Sequence, residues 1–178
     1  MQHSTRRVIH MSDGASSSSG IEYNWKDLSS PDLLTRKQAQ AYTLCEIKQM
    51  TYANASDIMG VSGATVGHHY RQAKSHIDSA ENTLAALTIV KLAETDSAEY
   101  IDYGPITLLS QPGLLTQRQA QSYFLYRFTD RTHDEIGDIL NTTDSNVWHR
   151  YNEAKSHIKS AQELVDKLEQ SVNPEDEQ

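Results

Sequence analysis

The sequence predicts an all-α protein made of two tandem copies of one three-helix unit, each ending in a long helix. Three observations carry that reading: a repeat without gaps, hydroxyl residues at regular helix starts, and an apolar stripe along each long segment. Leu33-Leu34-Thr35 through Leu87 aligns on Leu114-Leu115-Thr116 through Leu168 at a constant offset of 81 residues. Gln38-Ala39-Gln40 matches Gln119-Ala120-Gln121, and Ala73-Lys74-Ser75-His76-Ile77 matches Ala154-Lys155-Ser156-His157-Ile158. Two copies are too few for a solenoid, so a duplicated small domain is the physical reading.

Taken in order, residues 1–20 hold the run Ala15-Ser16-Ser17-Ser18-Ser19-Gly20 and little apolar material, which predicts a disordered arm. The first unit spans 21–92, an acidic linker 93–100, the second unit 101–170 and an acidic tail 171–178. Each unit is expected to open on a short extended arm, since Ile21-Glu22-Tyr23 and Leu28-Ser29-Ser30-Pro31 are echoed by Ile101-Asp102-Tyr103 and Leu109-Ser110-Gln111-Pro112. Thr35 with Gln38, Thr116 with Gln119 and Thr132 with Glu135 have capping-box spacing. Thr51, Ser62 and Thr143 are further caps, and together they predict helices near 36–48, 52–59 and 63–90, then 117–129, 133–140 and 144–170.

Between the second and third helices stand Met59-Gly60-Val61-Ser62 and Leu140-Asn141-Thr142-Thr143. Gly60 and Asn141 are the residue types that adopt the left-handed conformation ending a helix most readily. Ile58 and Ile139 before the turn, with Val66 and Val147 after it, are expected to lock two short helices at a steep angle, giving a helix-turn-helix in each unit. Along the third helices, Val66, Tyr70, Ala73, Ile77, Ala80, Leu84 and Leu87 recur as Val147, Tyr151, Ala154, Ile158, Ala161, Val165 and Leu168. Steps of four and three are the seam of a coiled-coil-like pair. That seam predicts either a monomeric pseudo-dimer, with the two long helices packed together, or a homodimer through them.

Composition narrows the function classes. Of 178 residues 37% are hydrophobic, low for one large core, and the single cysteine, Cys45, excludes an intramolecular disulfide and a four-cysteine zinc site. No apolar run is long enough to span a bilayer and no secretory pattern opens the chain, so a soluble, cytoplasmic protein without a membrane partner is expected. The net charge of −8 opposes nucleic-acid binding until its distribution is counted. It is +1 over 32–92, −4 over 93–112, −2 over 113–170 and −3 over 171–178, so most of the acidity lies in linker and tail.

Leu34-Thr35-x-x-Gln38-Ala39, Ala55-Ser56-Asp57-Ile58-Met59-Gly60-Val61-Ser62 and Thr65-Val66 resemble the DNA-binding helix-turn-helix of LuxR-type regulators and bacterial sigma factors. Thr132-x-x-Glu135-Ile136-Gly137-Asp138-Ile139-Leu140 extends the likeness to the second unit, and Ala73 through Leu84 is similar to archaeal Tfx-type DNA-binding proteins. Such families often carry Lys or Arg shortly after the Thr-Val pair, where this chain has Gly67 and Trp148.

In this motif the third helix enters the major groove and the second contacts phosphates. By helical geometry and by resemblance, the reading surface is Gly63, Ala64, Thr65, Gly67, His68 and Arg71, with Asp144, Ser145, Asn146, Trp148, His149 and Asn152. Asn146 suits adenine, Arg71 a guanine or a phosphate, and Thr65 or Trp148 a thymine methyl. Phosphate contacts are expected from Lys37, Thr51, Lys74, Arg118, Arg131, Thr132, Arg150 and Lys155. No cofactor, metal site or catalytic constellation is read from the chain, which is therefore expected not to be an enzyme. The expected function is a sequence-specific transcription regulator, repressor or activator, that binds double-stranded DNA at an asymmetric two-part site with half-sites about 34 Å apart. The alternative is an adaptor for RNA polymerase or a basic partner whose helix-turn-helix units have lost DNA affinity.

Overall fold

The computed structural model describes residues 25–29, 32–93 and 103–172. The expected arm at 1–20, nearly all of the linker at 93–100 and the tail beyond Val172 lie outside them. The described residues form α1 (Trp25–Ser29), α2 (Arg36–Tyr42) continued by a π-helical stretch (Thr43–Ile47), α3 (Tyr52–Met59), α4 (Gly63–Ala93), α5 (Tyr103–Ser110), α6 (Gln117–Phe128), α7 (His133–Leu140) and α8 (Asp144–Val172). Among them there is no strand.

The caps explain the helix boundaries. Thr35 and Thr116 each accept a bond from the amide three residues on, while Gln38 Oε1 and Gln119 Oε1 accept from the cap amides at 2.8 and 2.9 Å. Two orphan donors are thereby satisfied at each helix start. The third capping box, Thr132 with Glu135, forms as well.

Two features depart from the sequence expectation. The approaches are not extended where they are described: α1 and α5 are helical, burying Leu28 in one and Ile106 with Leu109, one turn apart, in the other. Pro105 lies in the first turn of α5, where a missing amide proton costs no intrahelical bond. The other departure is the π-helical stretch, in which the Lys48 amide reaches back five residues to the Thr43 carbonyl at 2.9 Å. The corresponding stretch of the second unit stays α-helical to Phe128.

Four buried clusters hold the helices together. Two are local: Ala41, Leu44, Ala55, Met59 and Val66 close the first turn, and Leu125, Ile136, Leu140 and Val147 the second. The other two cross between the halves. Leu28, Leu34, Ala39, Ala73 and Ile77 share a core with Leu164 and Leu168 of α8, while Ala86, Leu87 and Val90 of α4 share one with Ile106, Leu109, Leu115, Tyr123, Tyr151 and Ala154. Because the first half of α4 meets the second half of α8 and the reverse, the two long helices run antiparallel, and the positions halfway between the two clusters are Ala80 and Ala161, both small and fully buried. One step past that point departs from the expected stripe: Thr83 and Leu164 are sealed whereas Leu84 and Val165 are only half-buried, and the stripe resumes as expected at the buried Leu87 and Leu168. A helix of 3.6 residues per turn drifts against a 3.5 repeat, and each far end also meets the other half's opening helices. The Thr83 hydroxyl is satisfied by the Ser79 carbonyl at 2.8 Å.

Candidate nucleic-acid interface

Each helix-turn-helix is assembled from short-range chemistry. In the first, Thr51 Oγ1 accepts from the Asn54 amide and starts α3, Gly60 ends it at φ 65°, and Ser62 Oγ accepts from the Thr65 amide to start α4. In the second, Asn141 ends α7 at φ 49° and Thr143 Oγ1 accepts from the Asn146 amide. Gly137 has its own reason: a Cβ there would lie 3.0 Å from the Thr142 carbonyl oxygen, so the chain passes over it without room for a side chain.

Val66 and Val147 are fully buried, as expected of the residues that pin the reading helices. Their partners before the turn differ from the sequence reading. Ile58 and Ile139 are 54% and 39% exposed, and the lock is made by Met59 and Leu140, four residues on from the buried Ala55 and Ile136 on the inner face.

Of the residues expected on the reading surface, Ala64, His68 and Arg71 are exposed in the first unit, with Gly63 and Thr65 half-buried. Gly67 is a correction: it is buried beneath Tyr52, whose ring would meet a Cβ at 3.1 Å. In the second unit Asp144, Ser145, Asn146, Trp148 and His149 are exposed and Asn152 is half-buried. Several have partners already. Asn146 Nδ2 donates to Thr142 Oγ1 at 3.3 Å, Asn152 Nδ2 to the Trp148 carbonyl at 3.0 Å, and His149 Nε2 lies 3.0 Å from Glu153 Oε1. Trp148, 50% exposed, also packs edge-on against His133, which stacks on Tyr126 at 4.3 Å.

The cations expected on phosphates divide into three groups. Lys74 and Lys155 are exposed, each three residues beyond the last reading residue of its unit, and Arg131 and Arg150 are half-buried. Lys37 and Arg118 do something the sequence reading missed: Lys37 Nζ donates to the Met59 carbonyl at 3.2 Å and Arg118 Nη1 to the Leu140 carbonyl at 3.1 Å. A cation thus sits on the negative C-terminal end of α3 and of α7, one helix away. Their equivalence at the offset of 81 was the available signal, since identical placement in both units suits a bond within the unit.

The electrostatics of the two units differ. Neither α3 nor α4 has an acid in its first turn, so an anion would meet no like charge at either helix start. The second unit fills the same places with Asp134 and Glu135 on α7 and Asp144 on α8. Glu135 is held below the usual carboxylate range by the Thr132 amide and then the Thr132 hydroxyl. Among the described residues no three His, Cys, Asp or Glu side chains gather as a metal site, and no helix is long and apolar enough to cross a membrane.

No curated protein and no solved structure matches the chain. Residues 32–77, the stretch from the approach to α2 through the first half of α4, match the family model of sigma-70, region 4, so the likeness of the first helix-turn-helix to that of sigma factors holds at the level of the family model.

Proposed function

We propose that the chain is a sequence-specific DNA-binding transcription regulator whose two helix-turn-helix units read the unequal halves of one site, without a catalytic step. The carrying observation is that a region matching sigma-70 region 4 presents Ala64, Thr65, His68 and Arg71 at the start of a helix whose first turn, like that of α3, has no acid. Helix N-termini without a carboxylate favour phosphate, and the residues beside them lie where base edges are met. The spacing agrees. His68 stands twelve residues before Ala80 and His149 twelve before Ala161 on antiparallel helices, which at 1.5 Å per residue separates them by about 36 Å, near one turn of B-DNA.

The first unit supplies most of the grip, because the second sets three carboxylates at the places phosphates would take. That same acidity favours the adaptor reading for the second unit, in which it meets a basic protein surface such as one on RNA polymerase. Selection from random duplexes at low salt tests both. An enriched bipartite motif is expected, and changing Asn146 with His149 alters preference in one half only. Absence of any enriched motif refutes DNA reading and leaves the adaptor.

A further inference from the structure

The capping glutamine that opens α2 and α6 also reaches past its own cap to the long helix. Because the Thr116 amide donates, Gln119 turns Oε1 to it at 2.9 Å, and the Nε2 of the same side chain donates to Glu153 Oε2 at 3.2 Å. The other carboxylate oxygen, Oε1, lies 3.0 Å from Nε2 of His149, four residues back on α8. A chain of bonds therefore runs from the start of α6 to a residue of the reading surface. Its polarity is fixed throughout, since an ionised carboxylate only accepts and the His149 Nε2 facing it must carry a proton. In the neutral ring that leaves Nδ1 as the acceptor.

The first unit repeats these parts with one exchanged. Gln38 accepts from the Thr35 amide at 2.8 Å and donates through Nε2 to Gln72 Oε1 at 3.4 Å, with Gln72 standing at the place of Glu153. Its carbonyl oxygen is thus turned to Gln38, and what it has left for His68 is amide protons. Among the described residues no bond joins Gln72 to His68. An exposed pair four residues apart adds little stability, and His149 is 73% exposed, so the consequence of the chain lies in what the ring presents. Resting on the DNA-binding reading above, we propose that Glu153 is a positioning residue for base selection. It holds His149 with Nδ1 as the free acceptor, so one half of the site takes adenine or cytosine, whose amino groups donate in the major groove, while His68 at the equivalent place selects no base.

The test is selection from random duplexes by the full chain at about pH 8.5, roughly two units above the ordinary histidine value. Wild type is expected to prefer an amino-bearing base at one position by about fivefold, the worth of one neutral hydrogen bond, with no matching preference in the other half. Glu153→Gln keeps the length of the side chain and an oxygen for Gln119, but turns an amide donor on His149. The ring then accepts at Nε2 and carries its proton on Nδ1, so preference is expected to move to guanine or thymine at that position alone. NMR of the ring nitrogens, which separates protonated from bare ones, follows the same exchange. Gln72→Glu is expected to bring the amino-base preference into the other half. Two outcomes overturn the inference while wild-type selection stands: Glu153→Gln leaving base preference and ring protonation as they were, or lowering affinity for all duplexes equally. A wild-type chain that enriches no duplex overturns the DNA-binding reading itself.

Discussion

Gly60 ends α3 at φ 65° with nothing within 4 Å of where a Cβ would stand. An alanine there meets no neighbour yet must hold a left-handed backbone, so Gly60→Ala is expected to cost about 1–2 kcal/mol, read as a lowered urea midpoint with unchanged slope. Asn141, doing the same task at φ 49°, accepts Gly with little change. The turn is therefore legible in the sequence, because glycine and asparagine announce a backbone requirement. The burial of Gly67 is not, since nothing in a lone glycine says which neighbour will cover it. Glu135 gives a pH prediction. Its carboxyl is depressed by Thr132, so the stabilisation it brings is present above the ordinary carboxylate range and is lost as pH falls through the depressed folded value. Thr132→Ala should move the Glu135 titration upward toward the ordinary range, followed by NMR.

At the scale of elements, the six caps place the starts of six helices, because a hydroxyl that accepts the amide three residues on is a local bond independent of the rest of the chain. Thr116→Ala is expected to destabilise the fold by about 1 kcal/mol, measured by thermal or urea unfolding. What local chemistry does not announce is the helicity of the approaches, whose Leu28 and Leu109 acquire a reason to be helical only from the cores they enter. The π-helical stretch was equally hidden, since the same number of residues joins α6 to α7 without it.

For the whole molecule, the crossed cores tie each half's stability to the other. Leu164 is fully buried, yet most of its cluster belongs to α1, α2 and α4. Leu164→Ala should therefore cost about 2–5 kcal/mol and loosen amides within residues 32–77 of the first unit as much as those of its own; hydrogen exchange read by mass spectrometry would register the change. The apolar stripe disclosed in the sequence that the long helices needed partners. It did not disclose that each far end would complete the opposite module, because burial within one helix carries no address for the surface that covers it.

The crossed arrangement also sets an order for synthesis. A ribosome delivers the first half early, but Leu164 and Leu168, which complete the core shared by α1, α2 and α4, are among the last described residues to be translated. The nascent chain must carry an unfinished first half until α8 has been made, and a product terminated before Leu164 would expose Leu34, Ala39 and Ile77 on an open face fit for chaperones and proteases.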